Sequence, residues 1–197
     1  MVANPLANLA KYRIVLASNS PRRKELLAGL GIDFEVRVLE GIDETFPENL
    51  EMEQIPIFIA RKKATAYLDS LATDELLITA DTIVCSAGKV LGKPHGRDEA
   101  HAMLRELAGH THHVITGVSI TTRDTQRAFS VVSEVCFGEL SDEEIDFYIT
   151  QYQPFDKAGA YGIQEWIGMV AVRELRGSFF NVMGLPVQRL YQELKSF

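Results

Sequence analysis

The chain has 197 residues, of which 46% are hydrophobic, and its formal net charge is −7. This length and composition predict one globular domain, or two closely packed lobes, with a sizeable hydrophobic core. The negative charge disfavours non-specific binding to nucleic acid. No apolar run approaches the length of a transmembrane helix, and residues 1–11 lack the pattern of a secretory signal. We therefore expect neither a nucleic acid nor a membrane as a partner.

The two cysteines, Cys85 and Cys136, each lie inside an apolar run. Neither has another Cys or a His at a spacing typical of metal ligands, so we interpret both as reduced residues of the core. Reduced cysteines and the lack of a recognisable targeting signal predict a cytoplasmic protein.

The first patterned stretch of the chain combines a short strand with a helix. Its apolar start predicts a strand over residues 13–17. Ser20 suits the N-cap of the helix, Pro21 its first position and Gly31 its C-terminal stop. The apolar spacing predicts a helix over residues 21–30, which is about three turns.

Three cations, Arg22, Arg23 and Lys24, occupy the first turn of this predicted helix. The helix dipole is positive there, and each like charge costs about 0.3–1 kcal/mol. A bound anion would explain the position of these residues, and phosphate is the usual anion at a helix N-terminus. The alternative is a basic turn that is simply solvated.

The remaining periodicity predicts strands and helices that alternate along the chain. Further strands are predicted at residues 34–39, 76–85, 114–122, 128–138 and 167–172, and further helices at residues 55–71, 97–107, 142–151 and 186–195. Residues 1–12, 41–53 and 181–184 are expected to be a loose N-terminal segment, an acidic irregular loop and a loop. This order predicts a mixed α/β or α+β domain rather than a doubly wound parallel sheet.

One carboxylate, Asp81, interrupts the buried run LLITADTIVC. An ionised Asp among apolar residues is costly unless it is paired or bound to a metal, so Asp81 is a candidate site residue. The alternative is a capping Asp at a bend or at a strand end. Glu44 lies in the acidic loop, where most carboxylates can be explained as a solvated surface.

Three histidines, His110, His112 and His113, precede a predicted strand in a spacing that suggests a metal site. No carboxylate accompanies them in the sequence. Positions on the surface and at the end of a strand therefore explain them as well.

The residues that fit a purely structural role least well are cations and carboxylates: Arg22, Arg23, Lys63, Lys93, Glu44 and Asp81. This set favours polyphosphate chemistry, in which cations neutralise phosphate oxygens, carboxylates hold Mg²⁺ and one carboxylate can activate water. The sequence contains no Ser-His or Cys-His arrangement for acyl transfer and no P-loop. A phospho-aspartyl enzyme is also disfavoured, because Ile83 stands where a second Asp is expected.

The segments SNSPRRKELL, ADTIV, LGKP, GHTHHVITGVSI, DKAGAYGIQ and GLP follow one another in this chain. Together they resemble the Maf family of nucleoside triphosphate pyrophosphatases, from about residue 13 to the C-terminus. The resemblance implies a single Maf-like domain over residues 1–197, with a two-lobed fold similar to the inosine-triphosphatase type, an elongated mixed sheet and a deep central cleft. It also implies a divalent cation, Mg²⁺ or Mn²⁺, and a homodimer.

The reaction implied by the resemblance is hydrolysis of a nucleoside triphosphate to the monophosphate and pyrophosphate, which clears unwanted nucleotides. Asp81 matches the general base of the family, without excluding a role as metal ligand, and Glu44 is the second site acid. Lys63 and Lys93 would neutralise the triphosphate. Lys62 is less suited than Lys63, because the family spacing A-x-x-K-A ends on Lys63.

The segment DKAGAYGIQ resembles the subgroup that acts on dTTP and UTP. Arg22, Thr82 and Gln164 match its specificity positions, and the resemblance places Ser18 and Arg23 in substrate binding as well. The Gln amide offers both a donor and an acceptor, which can pair with the edge of uracil or thymine. The chain departs from the family at Glu165, where Gly often follows the Gln, and this acid bears on the preferred base.

Two other functions are compatible with parts of this pattern. A nucleotide-binding regulatory protein of cell division would bind a nucleotide without significant hydrolysis. A hydrolase of non-nucleotide pyrophosphates would share the phosphate chemistry but not the preference for a base.

Overall fold

The structure, a computed structural model, describes residues 5–197. Its strands are β1 (Arg13–Leu16), β2 (Phe34–Val36), β3 (Glu75–Ser86), β4 (Lys89–Leu91), β5 (Thr111–Thr121), β6 (Gln126–Phe137) and β7 (Val172–Arg176). Its helices are α1 (Pro21–Ala28), α2 (Ile55–Thr65), α3 (Arg97–Leu107), α4 (Asp142–Tyr152), α5 (Trp166–Ala171), α6 (Phe179–Met183) and α7 (Val187–Lys195). Short 3-10 helices cover Ala7–Lys11, Met52–Gln54, Leu68–Ser70, Pro154–Asp156 and Ala158–Ala160.

The strands form one seven-stranded mixed sheet in the order β2-β1-β3-β5-β6-β7, with β4 paired to β3. β1 is parallel to both β2 and β3, whereas β3 is antiparallel to β4 and β6 is antiparallel to β7. The predicted mixed α/β fold is therefore confirmed. No helix in the described part of the chain is long and apolar enough to span a membrane.

The described chain divides into two compact units. The first contains the residues up to Asp81, with Thr116–Val131 and Gly184–Phe197, and the second contains Thr82–Ile115 and Val132–Met183. The central cleft that the resemblance implies stays a prediction.

The core of the first unit lies between β1, β3 and α2. Val15 and Leu77 pack with Ala64, Tyr67 and Leu71, all of which are almost completely buried. α2 is also tied to β3 by a hydrogen bond, because the hydroxyl of Thr79 donates to the carbonyl of Ala60 at 2.7 Å. These contacts fix α2 against the strand that carries Asp81.

Glycine is required in β5 where α2 begins. A Cβ atom at Gly117 would overlap the backbone of Pro56 and Ile57. The two main chains therefore meet directly at this point of the first unit.

In the second unit, α3 and α4 are joined by ion pairs. Arg97 binds Asp146 at 2.8 Å, and Arg105 binds Asp142 in the first turn of α4. α4 begins with a capping box, in which the hydroxyl of Ser141 accepts from the backbone N–H of Glu144. The start of α4 and its position against α3 are therefore fixed.

The histidine cluster is divided by the alternation of β5. His112 is fully buried, and its Nε2 lies 2.8 Å from the hydroxyl of Tyr161, whereas His113 and His110 are exposed. Burial lowers the pKa of His112 to about 4, so its ring is neutral. Among residues 5–197 there is no group of three metal-binding side chains, so the metal interpretation of this cluster is not supported.

The strand predicted over residues 167–172 is wrong. Residues 166–171 form α5, and only Val172 and its successors join the sheet as β7. Ile167 and Ala171 are buried while Met169 and Val170 are exposed, which is the period of a helix rather than a strand.

The loop predicted at 181–184 is also wrong, since residues up to Met183 belong to α6. The hydroxyl of Ser178 accepts from the N–H of Asn181 at the start of this helix. The buried amide of Asn181 then donates to the carbonyl of Val114 at 3.1 Å and to the hydroxyl of Ser133 at 3.0 Å. These partners are distant in the sequence, so local pattern did not indicate the helix.

Several further boundaries differ from the predicted ones, mostly by one to three residues, and the larger differences are in α2 and the N-terminal segment. α1 ends at Ala28, because the N–H groups of Leu30 and Gly31 bond three residues back. β2 ends at Val36, which is paired with the last residue of β1. α2 ends at Thr65 rather than at residue 71. In the segment 1–12, which was expected to be loose, the described part contains the 3-10 helix Ala7–Lys11, and residues 1–4 lie outside the described residues.

Glu75 anchors an ion-pair network at the start of β3. Its carboxylate is almost fully buried and accepts from Arg37 at 2.6 Å, and Arg13 lies at 3.3 Å. The hydrogen bond from Arg37 holds the pKa of Glu75 at about 2, well below its ordinary value of 4.5. The network therefore contributes stability above pH 4.5, and that contribution is lost as the pH falls towards 2.

Replacing Glu75 with Gln is expected to lower the free energy of unfolding at pH 7 by about 1–3 kcal/mol, because Arg37 loses a buried charged partner. The variant should also lose less stability than the wild type between about pH 4.5 and 2. Urea denaturation at several pH values measures both effects. Glu35→Gln, which removes an exposed partner of the same arginine, is the matched control and should change stability by less than about 0.5 kcal/mol. Equal stability of the two variants would contradict this role of Glu75.

Candidate active site

The loop between β1 and α1 is held by its own serines. The hydroxyl of Ser18, which is buried, accepts from the N–H of Ser20 at 3.2 Å. The hydroxyl of Ser20 in turn caps α1 by accepting from the N–H of Arg23 at 3.5 Å. The predicted N-cap is therefore confirmed, and the loop has a defined conformation at the basic start of the helix.

Arg23 binds two main-chain carbonyls within the first unit. Its Nε donates to Gly184 at 2.8 Å, and its Nη1 donates to Ala80, the residue before Asp81, at 2.9 Å. Burial lowers the pKa of this guanidinium, Arg22 lowers it further, and the charges of Asp81 and Glu44 act in the opposite direction. Arg23 thus connects α1 to the strand that carries Asp81, a structural role that the sequence pattern did not indicate.

The ammonium of Lys63 lies between two carboxylates. Its Nζ is 2.8 Å from Oδ1 of Asp81 and 2.9 Å from Oε1 of Glu44. The side chains of Lys63 and Asp81 are 14% and 12% exposed, whereas that of Glu44 is 46% exposed. Asp81 is therefore a paired carboxylate inside a strand and not a cap at a strand end. The structure brings together three residues that are far apart in the sequence.

The neighbouring Lys62 instead binds the acidic loop that carries Glu44. Its Nζ binds Oδ2 of Asp43 at 2.7 Å and the carbonyl of Thr45 at 3.1 Å. The hydrogen bond from Lys62, followed by those from Thr45, holds the pKa of Asp43 well below its usual range. Residues on either side of Glu44 are thereby attached to α2. Of the two adjacent lysines, Lys63 contacts Glu44 and Asp81, whereas Lys62 contacts Asp43.

Arg22, which is partly buried in the first turn of α1, lies in the first unit, whereas Thr82, Lys93 and Gln164 lie in the second. Thr82 follows Asp81 directly along β3, and Lys93 is exposed in the loop after β4. The carbonyl of Gly92, beside Lys93, accepts from the N–H of Gly159 at 3.0 Å. The segments LGKP and DKAGAYGIQ are therefore neighbours in the fold.

Gln164 lies in a tight turn whose ends are Gly162 and Glu165, closed by a hydrogen bond from the N–H of Glu165 to the carbonyl of Gly162 at 3.0 Å. Its Oε1 is buried and has no hydrogen-bond partner among residues 5–197. A buried acceptor without a partner costs about 1–3 kcal/mol, so such atoms are uncommon in folded proteins. This oxygen is suited to accept a hydrogen bond from a ligand.

Glu165, the residue after Gln164, has two partners of its own in the second unit. Its carboxylate accepts a hydrogen bond from the hydroxyl of Tyr148 and lies 3.1 Å from Nζ of Lys157. Lys157 belongs to the segment DKAGAYGIQ, but neither its spacing nor that of Tyr148 indicated this contact.

A divalent cation would have two carboxylates available in the first unit. Glu44 and Asp81 supply hard oxygen ligands, but within the described chain no third His, Cys, Asp or Glu joins them. Mg²⁺ is commonly held by one or two carboxylates together with substrate phosphates rather than by a cage of protein ligands. The residues present therefore fit a cation that is shared with a polyphosphate.

Comparison with known proteins agrees with this chemistry. The family model described as "Maf-like protein" matches residues 13–197. The chain belongs to the Maf family. The resemblance carried by the sequence motifs is thereby confirmed.

Several curated relatives align with nearly the whole chain. A protein of Phocaeicola vulgatus is 64% identical over 96% of this chain and 98% of its own length. A protein of Parabacteroides distasonis is 62% identical over 98% of this chain and its full length. A protein of Flavobacterium psychrophilum is 46% identical over 91% of each chain. Each of these proteins is named dTTP/UTP pyrophosphatase.

Two solved structures are more distant. A nucleoside-triphosphatase (dITP/XTP pyrophosphatase) from Mycobacterium abscessus is 12% identical, with a TM-score of 0.39 over 65% of this chain and 75% of that one. A HAM1 protein from Coxiella burnetii is 15% identical, with a TM-score of 0.46 over 94% of this chain and all of that one. The fold assignment depends on the observed sheet and the family match, not on these two structures.

Replacing Arg23 with Ala is expected to lower the free energy of unfolding by about 2–3 kcal/mol, because hydrogen bonds from a charged donor to two buried carbonyls are lost. Arg23→Lys should recover little of this stability, since an ammonium cannot reproduce the fork of a guanidinium. Urea denaturation at pH 7 is the measurement. Lys24→Ala, on the same turn, is the control and should stay within about 0.5 kcal/mol of the wild type. Wild-type stability of Arg23→Ala would refute the structural role.

Proposed function

We propose that this protein hydrolyses nucleoside triphosphates, with dTTP and UTP as its preferred substrates, to the nucleoside monophosphate and pyrophosphate. The observation that carries the proposal is the ammonium of Lys63 held between the carboxylates of Glu44 and Asp81. Membership of the Maf family and the names of the close relatives support the same reaction. In this role the protein removes unwanted or modified nucleotides.

In the proposed reaction, water attacks the α-phosphorus and the bond from that phosphorus to the bridging oxygen of pyrophosphate breaks. Asp81 accepts a proton from the attacking water, or holds the cation that accompanies the substrate. The ammonium of Lys63, 2.8 Å from Oδ1 of Asp81, holds this carboxylate in a fixed position. Charge that develops on the leaving pyrophosphate has to be neutralised by cations, and the family resemblance assigns this role to Arg22, Arg23, Lys63 and Lys93.

Mg²⁺ or Mn²⁺, when bound with the triphosphate by Glu44 and Asp81, would supply Lewis-acid polarisation of the phosphate oxygens. The other contribution of this chain is orientation. Glu44 is carried on a loop that Lys62 and Asp43 attach to α2, so its carboxylate stays beside Lys63. Whether Mg²⁺ or Mn²⁺ is preferred is measured in the same assay as the substrate preference.

The base preference is proposed to reside in Gln164. Its buried Oε1 is an acceptor without a partner in the described chain, and its Nε2 is a donor. Uracil and thymine present an imide N–H next to carbonyl oxygens, which complements this amide. Cytosine presents a ring acceptor at the same place and would leave Oε1 unsatisfied. Thr82 and Ser18 are proposed to contact substrate on the ground of the family resemblance alone.

A regulatory protein that only binds nucleotides is less well supported. Glu44 and Asp81 are both acidic, and carboxylates beside a triphosphate repel it unless a cation or a proton transfer requires them. Binding alone would be better served by the cations without these acids. The family resemblance further suggests a homodimer, which size-exclusion chromatography can test, and the reduced cysteines suggest a cytoplasmic protein.

The decisive assay measures pyrophosphate release from dTTP, UTP, CTP and GTP, with Mg²⁺, with Mn²⁺ and with a chelator. We expect dTTP and UTP to be the best substrates and the chelator to abolish turnover. Asp81→Asn should lower kcat by about 100-fold or more, because it removes the acceptor of the proton. The control is Glu48→Gln, an exposed acid of the same loop as Glu44, which should keep wild-type activity. Absence of pyrophosphate release with every nucleotide, or full activity of Asp81→Asn, would rule the proposal out.

A further inference from the structure

The turn that carries Gln164 is closed from both ends by one buried side chain. The hydroxyl of Tyr148, on α4, accepts from the N–H of Gly162 at 3.0 Å and donates to the carboxylate of Glu165. Tyr148 is fully buried. Burial, and then the hydrogen bond to Glu165, raise the pKa of Tyr148 far above its ordinary value, so the phenol remains a donor at neutral pH. The first and last residues of the turn therefore share one partner.

The carboxylate of Glu165 has a second partner, the ammonium of Lys157 at 3.1 Å. The side chain of Lys157 is 8% exposed, and its Nζ also lies 2.8 Å from Asp156. A charge that is so deeply buried requires a fixed counter-charge. Asp156 and Glu165 both supply it, so the carboxylate of Glu165 is fixed by Lys157 as well as by Tyr148.

Gly162 completes the arrangement. A Cβ atom there would lie 2.9 Å from Nε2 of Gln164 and 2.9 Å from Cδ of Glu165. The amide and the carboxylate thus both pack against the α-carbon of this glycine. The amide of Gln164 is confined on this side by the backbone, and its Oε1 remains buried without a partner in the described chain.

We propose that Tyr148, Lys157 and Glu165 are positioning residues for base recognition, which hold the turn 162–165 so that the Gln164 amide presents its unpartnered oxygen to an imide N–H. This inference rests on the proposed function, because these residues would keep the contact between Gln164 and the base in its correct geometry. A buried acceptor without a partner would otherwise reorient towards any available donor. The ties to Tyr148 and Lys157 prevent the movement of the turn that would allow this.

The test compares UTP with CTP, which share the ribose and the triphosphate and differ at the edge of the base. Tyr148→Phe removes only the hydroxyl, and Glu165→Gln removes the charge that faces Lys157 while keeping the size of the side chain. For both variants we expect the ratio of kcat/KM for UTP to that for CTP to fall by about tenfold, mainly through a higher KM for UTP. The kcat for CTP should stay within about threefold of the wild type.

Ser141→Ala is the matched control. It destabilises α4, the helix that carries Tyr148, by removing the side-chain cap, but it leaves the contacts of the turn in place. We expect this variant to keep the wild-type ratio, so a general loss of stability is separated from a loss of positioning. Glu165→Gln, with its volume preserved, is the second variant should Tyr148→Phe fail to fold.

The outcomes separate this inference from the proposed function. An unchanged ratio in both positioning variants, together with a lost preference in Gln164→Ala, would overturn the inference and leave the proposed function intact. A wild-type enzyme that does not distinguish UTP from CTP, or a Gln164→Ala variant with full preference, would overturn the assigned base contact and this inference with it. A fall of the ratio in Ser141→Ala equal to that in Tyr148→Phe would also contradict the positioning role.

Discussion

A buried carboxylate in the middle of a core strand is the constraint on which the first unit depends. A carboxylate buried among apolar side chains is costly without a counter-charge, and Lys63 supplies one to Asp81 at 2.8 Å. That pairing requires α2 to pack on β3. The contact between Lys63 and Glu44 also requires the acidic loop to return to α2. The ion pairs of Lys63 therefore join the helix, the strand and the acidic loop, in addition to the core packing that holds α2 on β3.

The basic first turn of α1 shows that charged residues of one sequence motif can have different roles. The Nε and Nη1 of Arg23 donate hydrogen bonds to the backbone carbonyls of Gly184 and Ala80. Arg23 therefore holds β3 in position directly before Asp81. The helix dipole opposes a cation in this turn, but charge-assisted hydrogen bonds to carbonyls outweigh a cost of about 0.3–1 kcal/mol. Such a residue influences the site through the position of the backbone as well as through its charge.

Local chemistry in the sequence predicted the elements whose signals are short-range. The capping box at Ser141 and the boundaries of α3 follow directly from neighbouring residues. α6 was missed because the amide of Asn181 finds its partners on other strands. The same distinction holds at the candidate site. Motifs indicated Gln164, whereas the contacts of Glu165 depend on a tyrosine of another helix and are visible only in three dimensions.

The direct meeting of main chains at Gly117 has a consequence for how this site can vary. Side-chain packing is adjustable, since a larger residue at one position can be offset by a smaller one nearby. A contact between two backbones has no such tolerance, because neither Pro56 nor Ile57 can shorten its main chain. The start of α2 therefore cannot move closer to β5, whichever apolar residues fill the core of the first unit.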